Sequence, residues 1–458
     1  MQDDYAAFLA SKAPRVEPSG ITPKTMNAAM FDYQASVTEF CLRQGRAGLF
    51  LDTGLGKSLV ELEFSAHAAE ATNGKTLLLT PLAVARQFER EASKFGYDAR
   101  VIRDQSDARP GINICNYDRL DKIDADYFGA VVLDESSILK SFHGKTARGL
   151  MQTFAHHRFR LAATATPAPN DHMELGQHAD FLGVMSSLEM LSRWFINDTS
   201  TASQSWRLKG HAEEGFWDWM ASWSRCAGSP ADLGFDGSRH VLPPMNVHRH
   251  QTYGDVRPTA GTLFGVDTSA TGIHDVKRQT ANARADAVAE LVSNEPGEAW
   301  VIWCDTDYES EALAKRITHA VEVRGSMSVD MKEDRLAAFA SGEAKAIITK
   351  PSVAGYGLNW QHAARMAFVG RSFSYEAWYQ AVRRCWRFGQ LRPVDVHLIV
   401  AEGEDQIGRV IDRKAEDHAS MKLAMAKSMA RAMSVSETKV PYNPTHTGRM
   451  PAWLKSAV

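Results

Sequence analysis

The segment Gly54-Leu55-Gly56-Lys57-Ser58 contains residue types that bind a triphosphate. Glycines allow a backbone to wrap closely around phosphate oxygens, so that its N–H groups point inward. Lys57 would neutralise the β- and γ-phosphates, and the Ser58 hydroxyl would hold Mg²⁺. Leu51 stands where the full loop pattern has its first glycine, so the alternative is a glycine-rich turn with an incidental lysine.

Two carboxylates, Asp134 and Glu135, follow the apolar run Ala130–Leu133. Such a run is typical of a buried parallel strand, and α/β sheets bind ligands at the carboxyl ends of their strands. We therefore predict that Asp134 is the Mg²⁺ partner and that Glu135 is the base that orients an attacking water. An ordinary acidic turn is the alternative.

A third group of polar residues lies far along the chain. Gln380, Arg384 and Arg387 are spaced at i, i+4 and i+7, which places them on one face of a predicted helix that Gly389 would close. Arginines brought to a γ-phosphate stabilise charge in the transition state, an effect of roughly 10³–10⁵ in rate in related chemistry. For an isolated cluster, a solvated or acid-paired basic face is the alternative.

The elements that must position these residues come from two stretches in which short apolar runs alternate with helical patterns. This alternation predicts an α/β fold with two parallel-sheet lobes, a helical insert and a C-terminal helical extension. The predicted organisation is a lead-in segment at 1–25, a first α/β lobe at 26–183, a helical protrusion and linker at 184–281, a second α/β lobe at 282–403, and a C-terminal helix and tail at 404–458.

Composition limits the classes of protein that the chain can represent. Its 458 residues fit two to three domains, and 44% hydrophobic with 23% charged residues is typical of a soluble globular protein. A net charge of −3 means that any nucleic-acid site must be a local patch. The five cysteines are far apart and form no Cys-x-x-Cys pair, which argues against a disulfide framework or a zinc knuckle. With no signal peptide and no apolar run near 18 residues, we expect a cytoplasmic protein without a membrane partner.

The segment Gln380–Gln390 resembles motif VI of superfamily 2 helicases, specifically of the SWI/SNF-type translocases. Other motifs of that family are matched in the family's order, over about residues 31–410. They are Phe31–Gln34 (the Gln motif), the phosphate loop (I), Leu79–Leu82 (Ia), Asn116–Asp118 (Ib), Asp134–Ser137 (II), Leu161–Pro167 (III), Trp300–Asp305 (IV) and Ser352–Asn359 (V).

The resemblance implies two RecA-like lobes that clamp ATP between them and hold nucleic acid across their tops. Gln34 would read adenine, which favours ATP over GTP, and the loop Gly54-Leu55-Gly56-Lys57-Ser58 would bind the phosphates. The remaining implied roles are phosphate chemistry for Lys57, Ser58, Asp134, Glu135, Arg384 and Arg387, coupling of hydrolysis to lobe movement for Thr164, Thr166 and Gln380, and the nucleic-acid track for Thr80, Asn116, Ser352 and Asn359.

Two departures from the family pattern stand out. Ser136-Ser137 replaces a small residue followed by His in motif II, which puts the tightness of lobe coupling in question. Arg383 stands where the family commonly has Asp, with no role evident from the sequence. Outside the motifs, we expect the tryptophans at 217, 219 and 223 and the methionines at 421, 425, 429 and 433 to serve packing rather than DNA or partner contacts.

The leading functional hypothesis is a DNA-dependent ATPase that translocates on duplex DNA. A strand-separating helicase acting on DNA or RNA is the nearest enzymatic rival. No wedge hairpin can be recognised in the sequence, so the distinction between the two rests on analogy. An ATP-gated clamp, or the motor subunit of a larger assembly with protein partners, is a further alternative. The cofactors implied are ATP and Mg²⁺.

Overall fold

The computed structural model describes residues 16–140, 144–198, 205–252, 270–354, 358–372, 374–401 and 405–437. The predicted lead-in falls partly outside these residues, as do the middle of motif V at 355–357 and the tail from 438 onward. No helix among the described residues has the length and apolar composition needed to cross a lipid bilayer.

Two parallel sheets and one short hairpin contain the β-strands. The strands are β1 (Arg46–Leu51), β2 (Lys75–Thr80), β3 (Ala99–Val101), β4 (Gly111–Asn116), β5 (Ala130–Asp134), β6 (Phe159–Ala163), β7 (Phe195–Asp198), β8 (Ser205–Leu208), β9 (Ser224–Ala227), β10 (Met245–Thr252), β11 (Trp300–Trp303), β12 (Val321–Val323), β13 (Ala346–Thr349), β14 (Arg365–Phe368) and β15 (Val394–Ala401).

The α-helices connect these strands and cover their faces. They are α1 (Asp32–Gln44), α2 (Lys57–Glu70), α3 (Ala85–Phe95), α4 (Lys145–Thr153), α5 (Leu175–Leu182), α6 (Ser187–Trp194), α7 (Glu213–Trp223), α8 (Ala270–Asn294), α9 (Asp307–Arg316), α10 (Val329–Ala340), α11 (Pro351–Ala354), α12 (Tyr375–Val382) and α13 (Asp405–Glu437).

Lobe 1 is built on a seven-stranded sheet in the order β3-β4-β2-β5-β6-β1-β9, in which every neighbouring pair is parallel. Lobe 2 is built on a six-stranded sheet in the order β10-β15-β14-β11-β13-β12, also parallel throughout. The predicted fold class is therefore confirmed. The apolar runs form these sheets because parallel strands with helices on both faces bury nearly every side chain, as in β5, where all five residues are buried.

The sheets extend beyond the lobe limits expected from the sequence. β9 lies within the segment 184–281 that was assigned to a protrusion, yet it pairs with β1 and completes the sheet of lobe 1. β10 lies in the same segment and pairs with β15 along eight residues, so it belongs to the sheet of lobe 2. Before β9, the segment does contain the helices α6 and α7 and the antiparallel hairpin of β7 and β8.

The tryptophans of α7 pack into the core of lobe 1 rather than facing solvent. Trp217, Trp219 and Trp223 are between 0% and 3% exposed. Met421, Met425 and Met429 of α13 are 1–2% exposed and belong to the same core cluster, whereas the side chain of Met433 lies outside the described part. Packing, not stacking on bases, therefore accounts for these described side chains.

Candidate active site between the lobes

Most of the predicted site residues of lobe 1 lie at the carboxyl edge of its sheet. The phosphate loop follows β1, Asp134 ends β5, and Thr164 follows β6, the strand that lies between β1 and β5. Because the carboxyl ends of parallel strands lie at one edge, residues distant in sequence meet there. Thr80 and Asn116 end β2 and β4 at this same edge, farther from β1.

Backbone conformation explains the two glycines of the phosphate loop. Gly54 has φ +92° and Gly56 has φ +74°, both in the region that L side chains rarely adopt. A Cβ on Gly56 would lie 2.1 Å from Nε2 of Gln34, and one on Gly54 would lie 2.9 Å from the backbone nitrogen of Phe388 in lobe 2. The loop is therefore in close contact with both α1 and lobe 2.

Lys57 is the first residue of α2, so the helix begins within the loop as its pattern predicts. Its Nζ donates to the backbone oxygen of Leu51 at 3.0 Å, which holds the ammonium group beside the loop. The positive end of the helix dipole adds to this charge.

The two arginines of lobe 2 line the same cavity as the phosphate loop. This cavity, about 270 Å³ in volume, contains Lys57, Ser58 and Asp134 on one side and Arg384 and Arg387 on the other. The structure therefore brings together the groups that the sequence assigned to two distant segments.

The predicted helix through Gln380, Arg384 and Arg387 was wrong in its extent, because α12 ends at Val382. The backbone oxygen of Arg384 accepts from the N–H of Trp360 at 2.9 Å, and Nη1 of Arg384 and of Arg387 donate to Leu358 at 3.0 and 3.2 Å. These contacts with a distant segment draw the chain out of the helical path. Gly389, with φ +93°, follows a series of turns rather than a helix end.

Glu135 occupies the centre of the site and is held from both lobes. Its Oε1 accepts from the hydroxyl of Thr164 at 3.1 Å and from Nε2 of Gln380 at 2.6 Å. Its φ of +55° is the left-handed conformation that a residue with a side chain seldom takes, which is typical of functional positions. Glu135 lines the 270 Å³ cavity and also the larger cleft described below.

Burial and mutual repulsion shape the charges of the site. Burial, together with the nearby charge of Glu135, raises the pKa of Asp134 to about 8. Burial lowers the pKa of Lys57 despite the surrounding carboxylates, and it raises the pKa of Glu61 well above its usual value. Both carboxylate oxygens of Glu61 are buried without a hydrogen-bond partner among the described residues.

This excess of buried acid fits a divalent cation. A cation beside Asp134 and Ser58 would relieve the repulsion that raises the pKa of Asp134, since both residues line the same cavity. Mg²⁺ commonly uses one or two protein oxygens together with water and phosphate.

Gln34 is buried against the phosphate loop. Its Nε2 donates to the backbone oxygen of Leu55 at 3.1 Å, and its Oε1 accepts from the N–H of Phe31 at 3.0 Å. The Gln motif is thus joined directly to the loop that would bind phosphates.

A larger cleft of about 550 Å³ lies between the lobes beside the phosphate-loop cavity. Thr80 and Ser352, both predicted to follow the nucleic-acid track, line it from opposite lobes. Asn116 is next to its lining residue Tyr117, but Asn359 lines the smaller cavity instead. Three of the four predicted track residues therefore lie in or adjoin one interlobe cleft.

Thr166, the last of the residues predicted to couple hydrolysis to lobe movement, is fully buried. Its N–H donates to the hydroxyl of Thr164 at 3.1 Å, while its own hydroxyl finds no partner within the described residues. His178 of α5 lies at the unusual motif II, with Nε2 3.1 Å from the hydroxyl of Ser136. A histidine therefore contacts this motif from another element, a relationship that the local pattern did not reveal.

Several residues of the site escaped the sequence analysis. Asp52 precedes the phosphate loop and is bound by Arg383, Tyr379 and Lys422. The sequence signal for Asp52 was an acidic residue two positions before Gly54 of the phosphate loop. Its partners lie in another lobe and in α13, where no spacing rule could connect them.

Comparison with known proteins finds sequences related to helicases. Residues 283–389 match the helicase conserved C-terminal domain family. The chromatin-remodeling ATPase INO80 of Arabidopsis thaliana is 27% identical over 227 residues, which cover 42% of this chain and 14% of the plant protein. The SWI/SNF-related matrix-associated actin-dependent regulator of chromatin subfamily A-like protein 1 of Bos taurus is 21% identical over 450 residues, which cover 88% of this chain and 45% of the bovine protein.

The chain is similar in sequence to SWI/SNF-type members of the superfamily 2 helicases. The chain spans less than half the length of the plant and bovine proteins. Protein p41 of Acyrthosiphon pisum secondary endosymbiont phage 1 is 23% identical, and the alignment covers 87% of this chain and 98% of p41. A solved structure, the Sulfolobus solfataricus SWI2/SNF2 ATPase core in complex with dsDNA, aligns over 91% of this chain and 97% of that chain, with 18% identity and a TM-score of 0.41. The segment that matches the helicase domain family includes Gln380, Arg384 and Arg387. The two arginines line the cavity from lobe 2, and Gln380 donates to Glu135.

Proposed function

We propose that the chain hydrolyses ATP and uses the cycle to move along DNA, with duplex DNA as its preferred track. The observation that carries this proposal is the position of Glu135. This carboxylate lines both the phosphate-loop cavity and the larger interlobe cleft, and it accepts hydrogen bonds from both lobes. A group so placed can respond to nucleotide and to a polymer in the cleft.

In the hydrolytic step, lobe 1 binds the triphosphate and lobe 2 stabilises charge. The loop N–H groups and Lys57 hold the phosphates, and Ser58 with Asp134 would hold Mg²⁺, which supplies charge neutralisation when bound. Glu135 orients the attacking water and accepts its proton. Arg384 and Arg387 reach the same cavity and stabilise the negative charge that develops on the phosphoryl oxygens.

Coupling follows from the two donors to Glu135. Thr164 holds the carboxylate within lobe 1, and Gln380 holds it from lobe 2. If the lobes shift, the Gln380 contact changes and the orientation of the base changes with it. ATP turnover and lobe movement are then linked through one side chain, as a motor requires.

The larger cleft is the proposed track. Its polar lining includes Thr80 and Ser352, together with Lys140 and Lys332, which suit contacts with a phosphate backbone. Hydroxyl and ammonium groups contact backbone without reading bases, so movement would be independent of sequence. The chromatin-remodeling activity named for the Arabidopsis relative supports duplex DNA as the substrate class.

The test is the steady-state rate of ATP hydrolysis with no polynucleotide and with duplex DNA, forked DNA, single-stranded DNA and RNA at equal nucleotide concentration. We expect duplex DNA to give the largest stimulation. Preference for a fork, with release of a strand in a displacement assay, would favour a strand-separating helicase, and preference for RNA would reassign the track. Hydrolysis that no polynucleotide changes would favour the ATP-gated clamp and overturn the motor.

The matched variants are Lys57→Ala and Glu135→Gln, each of which should lower turnover at least about 10²-fold by removing phosphate neutralisation or the base. Glu135→Gln retains the size of the side chain, so it should still bind ATP. Turnover near that of the unchanged protein in either variant would refute the site assignment.

A further inference from the structure

Asp52 lies between β1 and the glycines of the phosphate loop. The residue is buried, with 5% of its surface exposed. Its Oδ1 accepts from the N–H of Thr53 at 2.6 Å, which ties the side chain to the backbone of the loop. A displacement of this carboxylate would therefore displace the backbone at the start of the phosphate loop.

Two cations and a phenol bind this one carboxylate. Nη2 of Arg383 lies 2.5 Å and Nζ of Lys422 lies 3.1 Å from Oδ2, while the hydroxyl of Tyr379 donates to Oδ1. Lys422 also donates to the oxygen of Tyr379 at 3.2 Å. The groups form one closed network in which Arg383 and Tyr379 come from lobe 2.

The network is buried and charged. The side chains of Asp52, Arg383 and Lys422 are 7%, 8% and 16% exposed. Burial alone would raise the pKa of Asp52, but Lys422 and Arg383 hold it well below its usual range. Burial would lower the pKa of Lys422, but the charge of Asp52 raises it instead. Removing one partner would leave a buried charge without a counter-charge, so the contacts depend strongly on one another.

Lys422 lies on α13, the helix that contacts both lobes. Toward its N-terminal end, Ile411 packs against Tyr375 of α12, and Nδ1 of His418 lies 3.3 Å from the hydroxyl of the same tyrosine. Toward its C-terminal end, Met425 packs in the lobe 1 core and Arg431 binds Glu214 of α7 at 2.6 Å. Lys422 lies on a part of the helix that adjoins both lobes, between the contacts of His418 and those of Met425.

We propose that Asp52, Tyr379, Arg383 and Lys422 form a latch through which α13 positions the phosphate loop against lobe 2. Arg383 and Lys422 are positioning residues, since they act on the reaction through Asp52. The latch favours the closed arrangement in which Arg384 and Arg387 share a cavity with Lys57. α13 is then part of the catalytic unit rather than an appendage. The consequence for turnover, though not the latch itself, rests on the proposed ATPase function.

The kinetic test compares Lys422→Met with Lys422→Arg and with Lys427→Met. Lys427 is an exposed lysine of the same helix and serves as the matched control. We expect Lys422→Met to lower ATP turnover at least fivefold without DNA, but less than twofold at saturating duplex DNA, because DNA bound across both lobes substitutes for the latch. Lys422→Arg should recover at least half of the lost rate, and Lys427→Met should change neither rate.

Equal losses with and without DNA in Lys422→Met would indicate a merely structural role and overturn the proposal. So would an unchanged basal rate. Because the effect is a ratio between two conditions on one preparation, a partly misfolded fraction cannot imitate it.

A second measurement does not depend on ATP hydrolysis. Spin labels at Leu188→Cys in lobe 1 and Leu391→Cys in lobe 2 would report the interlobe distance, since these residues are 70% and 90% exposed. The natural cysteines are all buried, so the labels attach selectively. We expect Lys422→Met to broaden or lengthen the distance distribution, and Lys427→Met to leave it unchanged.

An identical distribution in Lys422→Met and the unchanged protein would refute the latch, whatever the ATPase rates. A shifted distribution in a chain that hydrolyses no ATP would support the latch and refute the proposed function. The two proposals can therefore fail separately.

Discussion

Gln380 of lobe 2 and Thr164 of lobe 1 donate hydrogen bonds to the same oxygen of Glu135, at 2.6 and 3.1 Å. A single carboxylate oxygen thus receives one donor from each lobe. Because an acceptor shared in this way is oriented correctly only when both donors are in place, the orientation of this proposed base depends on both lobes.

Gln380→Ala should therefore lower the maximal rate of ATP hydrolysis about tenfold, the effect of losing one hydrogen bond to a charged group. Binding of ATP should change little, because Gln380 does not line the phosphate-loop cavity. Steady-state kcat and KM measure this difference, and Gln152→Ala, at an exposed position of lobe 1, is the control. A loss confined to KM would contradict the role of Gln380 in orienting the base.

Arg384→Ala and Arg387→Ala should each lower ATP turnover by about 10³-fold, as expected for arginines that stabilise phosphoryl charge. Arg384→Lys should not restore the rate, since a lysine cannot reproduce the planar fork of donors. The control is Arg392→Ala, which removes an arginine of lobe 2 that is paired with Glu298 at 2.8 Å outside the cavity. Single-turnover hydrolysis with bound ATP would isolate the chemical step, and an unchanged rate in both alanine variants would show that lobe 2 does not complete the site.

The pH dependence of folding provides a prediction that is independent of activity. Burial lowers the pKa of His178 to about 4, so the folded protein keeps this imidazole neutral where the unfolded chain, with a pKa near 6.5, would bind a proton. The unfolded state thus binds more protons between about pH 4 and 6.5, and stability falls as the pH falls through that window. The contribution is roughly 3 kcal/mol at its largest.

Urea unfolding between pH 5 and 7.5 would measure the slope of unfolding free energy against pH. His178→Gln should make that slope shallower, while His156→Gln, at an exposed histidine, should leave it unchanged. Because burial also lowers the pKa of His397 and His418, part of the slope should remain in His178→Gln. An unaltered slope in that variant would mean that His178 is not held neutral.

The sequence predicted the strands that carry the chemistry because each is a continuous apolar run. β5 extends the apolar run Ala130–Leu133 only by Asp134. β9 and β10 were missed since Ser224–Ala227 and Met245–Thr252 lack such a run. They form strands because they pair with the backbone of β1 and β15. This pairing is a tertiary contact, which a local sequence pattern does not reveal.

In the site, too, local features could be predicted from the sequence and long-range contacts could not. Motifs such as the phosphate loop and Asp134-Glu135 are short because their chemistry is local, so sequence alone located them. The Asp52 network joins residues as many as 370 positions apart, and α12 ends early because Arg384 and Arg387 bind Leu358. Only the packing of the two lobes and α13 brings these partners together.

The docking of α13 leads to a last prediction, on stability. Met425 is 2% exposed in the lobe 1 core, so Met425→Ala should lower the free energy of unfolding by about 2–5 kcal/mol through lost burial and a cavity. Leu423→Ala removes a side chain of similar size that is 58% exposed on the same helix, and its effect should stay within about 0.5 kcal/mol. Both alanines have the same helix propensity, so the difference between the two variants reports docking alone. Chemical denaturation followed by tryptophan fluorescence suits this comparison, since Trp219 and Trp223 lie in the same core cluster as Met425. Equal effects of the two variants would mean that α13 is not packed against lobe 1 in solution, and the latch at Lys422 would then lose its support on that side.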